Sequence, residues 1–156
     1  IASFVKNSIT SGVELDEELQ GKYVELCKKI FNTMKYEIKS AKNAKDGGYQ
    51  VTVSYQPSNV FVNFIAKISE ENARIVEKVQ KGEYRGTLEE INNQMQQDFL
   101  TNAYTILEEC YKTNDYGKEE TYIFTIEKDG KGMYDIREEQ ISEFIKKILD
   151  LDEKEG

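Results

Sequence analysis

Six pairs of adjacent glutamates are the residues best equipped for chemistry: Glu17-Glu18, Glu70-Glu71, Glu89-Glu90, Glu108-Glu109, Glu119-Glu120 and Glu138-Glu139. Two carboxylates can divide acid and base duties when their surroundings push their pKa values apart. Adjacent helical positions do not face one another, however. Several of these pairs also stand where a helix would begin, and there negative charge offsets the helix dipole. They are read as solvated caps.

Histidine is absent, so no serine or cysteine nucleophile has an imidazole base. Cys27 and Cys110 lie far apart without a CxxC motif. Each sits among apolar residues at helical spacing, which reads as two small core residues. A single disulfide, which would require an exported protein, is the sharper alternative. Asp129-Gly130-Lys131-Gly132 is too short and too poor in acids for a calcium loop, and zinc has no ligand set. Gly47-Gly48 lacks the Lys-Ser/Thr pair and following helix of a phosphate loop. The expectation is no catalytic residue, no metal and no cofactor. The remaining weak candidates are tyrosines. Tyr49 and Tyr55 could line a pocket between sheet and helices, while Tyr84 and Tyr116 fall in a loop and near a helix end, as exposed contact residues.

The net charge of −8 leaves no basic stripe for nucleic acid and disfavours an anionic membrane surface. No apolar run approaches the ~20 residues needed to span a bilayer, so direct membrane insertion is not expected.

These residues must be positioned by a small set of elements. Residues 1–9 resemble the end of a helix. Asp16, Glu17 and Glu18 open the next, with Leu15, Leu19, Tyr23, Leu26, Cys27, Ile30 and Phe31 at three- and four-residue spacing. Alternation then takes over: Met34, Tyr36 and Ile38 on one side, and Tyr49, Val51, Val53 and Tyr55 after the Asp46-Gly47-Gly48 turn. Pro57 ends that strand. Phe61, Phe64, Ile65, Ile68, Val76 and Val79 mark a third helix. Thr87 with Glu90 caps a fourth, carrying Ile91 to Tyr111. Tyr122, Phe124 and Ile126 begin a second hairpin through Asp129-Gly130. Asp135 with Glu138 is placed to cap the last helix, which carries Ile141 to Leu149.

The fold class is α+β: a four-stranded antiparallel sheet over about 34–43, 48–56, 119–128 and 132–136, with helices packed on one face. Residues 1–150 form a single domain and 151–156 a frayed acidic tail.

The segment from Asp46 to Pro57, with its "DGG-Y-x-V-x-V" strand, the helical pair that follows and the closing Tyr122–Ile136 hairpin and helix resemble a family of domains of unassigned activity. These occur in extracytoplasmic lipoproteins of Gram-positive bacteria. The resemblance implies a cystatin-like or NTF2-like helix-on-sheet fold, an extracytoplasmic location and a lipid anchor upstream of residue 1. It carries over no site residue.

The expected function is a non-enzymatic extracytoplasmic domain that binds an unidentified protein or small molecule. The alternative is a small-molecule enzyme using carboxylate and tyrosine groups in a helix–sheet pocket. A cytoplasmic adaptor is the remaining reading.

Overall fold

The computed structural model describes residues 1–151. Among them are helices α1 (Ala2–Phe4), α2 (Glu17–Asn32), α3 (Val60–Gln80), α4 (Leu88–Lys112) and α5 (Glu138–Ile148), and strands β1 (Lys35–Asn43), β2 (Tyr49–Gln56), β3 (Glu120–Lys128) and β4 (Tyr134–Ile136). The architecture is α+β, with the four strands within a residue or two of their expected bounds. The chain gathers into two compact units: Ile1–Thr33 with Asn63–Thr113, and Met34–Val62 with Asn114 onward. The acidic tail expected at 151–156 lies, beyond Leu151, outside the described residues.

The first unit is helical. Asp16 starts α2 by accepting the Leu19 amide on Oδ1 at 2.7 Å, which satisfies one of the unpaired N–H groups of the first turn. The apolar spacing of α2 then buries Leu19, Tyr23, Leu26, Cys27 and Ile30. Thr87 performs the same service for α4, its Oγ1 accepting the Glu90 amide at 3.2 Å, and α4 buries Leu100, Ala103, Leu107 and Cys110. The buried Tyr23 hydroxyl donates to the Leu100 carbonyl, so its polar end is satisfied inside the core. The Tyr23 ring meets Tyr104 edge-on at 5.4 Å. Residues 1–9 are helical as expected, but α1 widens into a π-helical turn, Val5–Ile9, that buries Val5.

The second unit holds the sheet, in the order β1-β2-β3-β4 with every pair antiparallel. Its first turn is closed by Asp46, whose Oδ1 accepts the Gly48 amide at 3.3 Å. Gly48 is required by space: a Cβ there would lie 2.1 Å from the Ile126 carbonyl oxygen of β3. Asp129 closes the second turn by accepting the amides of Lys131 and Met133.

Helix α5 lies on the sheet through Phe144, whose ring stands 5.2 to 5.6 Å from Phe124, Tyr55 and Tyr122. Because β4 is only three residues long, Thr125 of β3 has backbone groups with no strand beside them. Gln140 of α5 supplies the missing partners, accepting the Thr125 amide at 2.7 Å and donating to its carbonyl at 3.2 Å.

One side of the sheet is covered unevenly, and one expected cap is corrected. Tyr36 and Ile38 do share the face of Val53 and Tyr55 through the pairs Tyr36–Tyr55 and Ile38–Val53, yet they are 60% and 65% exposed. They stand on the edge strand, and Phe144 reaches Tyr36 only at 6.3 Å, whereas Val53, Tyr55 and Tyr122 are buried. Asp135 does not cap α5. It pairs with Glu127 inside β4, and the position before α5 is held by Arg137, which makes no side-chain cap.

Candidate functional site

Three features gather side chains beyond what folding of a single element requires. One is a polar recess in the second unit. After Pro57 the chain runs antiparallel to the segment following α4, with Ser58 bridged to Tyr116. The Gly117 amide donates to the Pro57 carbonyl at 2.8 Å and the Asn59 amide to the Asp115 carbonyl at 3.1 Å. Asn59 Oδ1 accepts the Asp115 amide in return at 2.9 Å. This clamp shapes a hollow of about 420 Å³ lined by Pro57, Asn59, Asp115, Tyr116, Gly117, Lys118, Glu120 and Asp150. A neighbouring hollow of about 340 Å³ shares Glu120 and Asp150 and adds Tyr55, Thr121 and Lys147.

Two of the four candidate tyrosines line these hollows, Tyr116 the first and Tyr55 the second. The buried Tyr55 hydroxyl donates to Glu120 at 3.2 Å, and Tyr116 takes the Lys35 ammonium on its ring face at 4.0 Å. The Tyr116 hydroxyl in turn accepts from Asn114 at 2.9 Å. Tyr49 is elsewhere, packed on Tyr134 at 5.3 Å. The hollows are open and lined largely by charged and amide groups, unlike the apolar walls with a few convergent polar groups typical of a small-molecule site.

The second feature is an ionic cluster in the first unit, which draws in Tyr84. Glu71, only 7% exposed, is chelated by Arg74. Arg74 continues to Asp98 at 2.9 Å, Lys78 reaches Asp98 at 2.6 Å and the Tyr84 hydroxyl donates to it at 2.5 Å. Asn102 donates to both Glu71 and Asp98 at 3.1 and 3.3 Å. Burial opposes ionisation of Asp98, but the hydrogen bonds from Arg74, Lys78 and Tyr84 outweigh it and hold its carboxyl well below the usual range. Bonds from Glu71 and Asp98 push the Arg74 pKa up. Every member is partnered, as a clamp between α3, α4 and their connecting loop requires. Both cysteines are free and buried, and burial pushes the Cys27 thiol up to about 11, away from nucleophilic character.

The third feature was hidden in a stripe that reads as core. The apolar stripe of α3 is only partly covered. Phe61 and Ile75 are buried, while Ile65, Val76 and Val79 are 57%, 54% and 43% exposed. The outward residues Ile65, Ser69, Asn72, Val76 and Val79 follow a four–three–four–three spacing, the seam period of a paired helix. Sequence alone does not separate the two groups: apolar residues at 64, 65, 68, 75, 76 and 79 fall within about 120° of arc, the width of an ordinary single stripe.

No protein-family model and no curated protein matches the chain. A similar solved structure is that of a "putative lipoprotein (ycdA)" from Bacillus subtilis, with a TM-score of 0.48 and 16% sequence identity over 94% of this chain. The match spans 44% of that protein. A likeness at this level transfers no activity, ligand or location.

Proposed function

We propose that the chain is a non-enzymatic, extracytoplasmic interaction module whose contact surface is the outer face of α3. The observation that carries this reading is the row of exposed aliphatic side chains Ile65, Val76 and Val79, which runs along α3 beside the buried Phe61 and Ile75 that anchor the helix. Single exposed apolar residues are ordinary, but aliphatics repeated at seam spacing along one helix are the surface that an amphipathic partner helix covers. The extracytoplasmic location is supported by the family resemblance of Asp46–Pro57, and the cystatin-like or NTF2-like helix-on-sheet description and an upstream lipid anchor belong to the same proposal. The acidic balance supports a protein partner over nucleic acid.

The test is a Val76→Cys variant carrying a membrane-impermeant, thiol-linked photo-crosslinker, irradiated on intact cells of the native host. The buried Cys27 and Cys110 are shielded from the reagent. Discrete protein adducts at position 76, absent from a Lys118→Cys control, are expected. Labelling only after lysis contradicts the location. Labelling of intact cells without adducts contradicts the interaction surface.

A further inference from the structure

We infer that the partner on this face is a second copy of the chain, with the two α3 helices side by side and antiparallel. The inference rests on the interaction reading and adds the identity of the partner. A two-fold interface requires that residue i meet residue j while j meets i, so the surface must be its own complement when reversed. The outward face of α3 has this property. Ile65, Ser69, Asn72 and Val76 read aliphatic, polar, polar, aliphatic in both directions, and their spacings of four, three and four are symmetric about the point between residues 70 and 71. Reversal sets Ile65 against Val76 of the other copy, and Ser69 against Asn72.

The polar pair at the centre is chemically matched. The Ser69 hydroxyl already donates to the Ala66 carbonyl at 2.8 Å, so its oxygen is an acceptor, and the Asn72 amide is a donor. A polar layer in an otherwise apolar seam fixes register, because any slip sets Asn72 against an aliphatic side chain. Ala66 and Ala73, both exposed, flank the seam on the same side. They add little bulk, so the axes can approach the short end of the 8–10 Å range for packed helices.

Size and charge define the strength of the pair. From Ile65 to Val79 the seam is about 21 Å long and one helix wide, which falls well short of the ~800 Å² per partner of a standard stable interface. The pair is therefore weak and reversible, with a dissociation constant on the order of 100 µM. The seam holds no charged residue, while each copy carries a net charge of −8. Salt screens that repulsion and strengthens the pair, whereas a basic partner on the same chain would be weakened by salt.

Disulfide capture reads the geometry directly. Ser69→Cys and Asn72→Cys proteins, both altered at exposed positions, are oxidised separately and as an equimolar mixture at about 100 µM. A disulfide needs Cα atoms within about 7 Å, so the mixed dimer should form about tenfold faster than either homodimer. Faster Ser69→Cys homodimer formation would show parallel pairing and overturn the inference. Equal, slow rates in all three tubes would overturn it as well. If adducts with other proteins still form at position 76 on cells, the interaction surface survives and only self-pairing fails; if neither forms, both fall.

Discussion

At the scale of single residues, Asp98 is the hinge of the ionic cluster. Two cations, a tyrosine hydroxyl and the Asn102 amide converge on its two oxygens, and removing the carboxylate leaves Arg74 and Lys78 without half of their compensation. Asp98→Ala should cost about 2 kcal/mol of unfolding free energy, the range for breaking a partly buried charged network, measured by urea denaturation at pH 7. The pH dependence has a definite sign. The folded carboxyl titrates below the unfolded one, so its stabilisation is complete above the unfolded pKa of about 4 and disappears as pH falls toward the folded value. Wild type should therefore lose more stability than Asp98→Asn between pH 5 and 2 (both limits approximate). Equal acid slopes for the two proteins would remove Asp98 from the account. Only the local spacings were legible in the chain, Glu71 with Arg74 on α3 and Asp98 with Asn102 on α4; the turn between the two helices is what joins them to each other and to Tyr84.

At the scale of elements, the hairpin of β1 and β2 shows why some features can be read from sequence and others cannot. Strict alternation in Tyr49–Tyr55 and the Asp46-Gly47-Gly48 turn specify strand, turn and register locally, and the structure has them. Which of the resulting apolar residues are covered depends on where α5 lands. Phe144 covers Tyr55, Tyr122 and Phe124 but leaves Ile38 exposed. The missed cap at α5 has a similar cause: pairing of Asp135 with Glu127 in β4 took precedence over a local capping pattern. Gly48 illustrates a constraint invisible at the level of turn propensity. Its neighbour Gly47 has φ of +88° with open space beside it, whereas a Cβ added at Gly48 would collide with the Ile126 carbonyl oxygen. Gly47→Ala should cost about 1 kcal/mol from backbone conformation, and Gly48→Ala about 2–3 kcal/mol because β2 must move away from β3. Chemical denaturation of the two variants checks the order. A Gly48→Ala protein as stable as wild type would show that this turn sits differently.

At the scale of the whole molecule, the chain reserves an aliphatic row on α3 that neither folding nor solubility explains. Helical spacing in the sequence announced α3 and gave Ile65, Val76 and Val79 the look of core, since periodicity reports that a residue is apolar and not which neighbour it meets. The candidate tyrosines were legible as residues but not as a group: Tyr116 and Tyr55 line two neighbouring hollows of the second unit, Tyr84 joins the ionic cluster and Tyr49 packs on Tyr134. Sedimentation equilibrium over protein concentrations up to about 1 mM, at low and at high salt, bears most directly on the role of α3. The wild-type average mass should climb from 18.0 kDa toward twice that value, more steeply at high salt, while Ile65→Glu remains monomeric with an unchanged melting temperature. A wild-type protein that stays at 18.0 kDa throughout, or associates equally well with Glu at position 65, would contradict it.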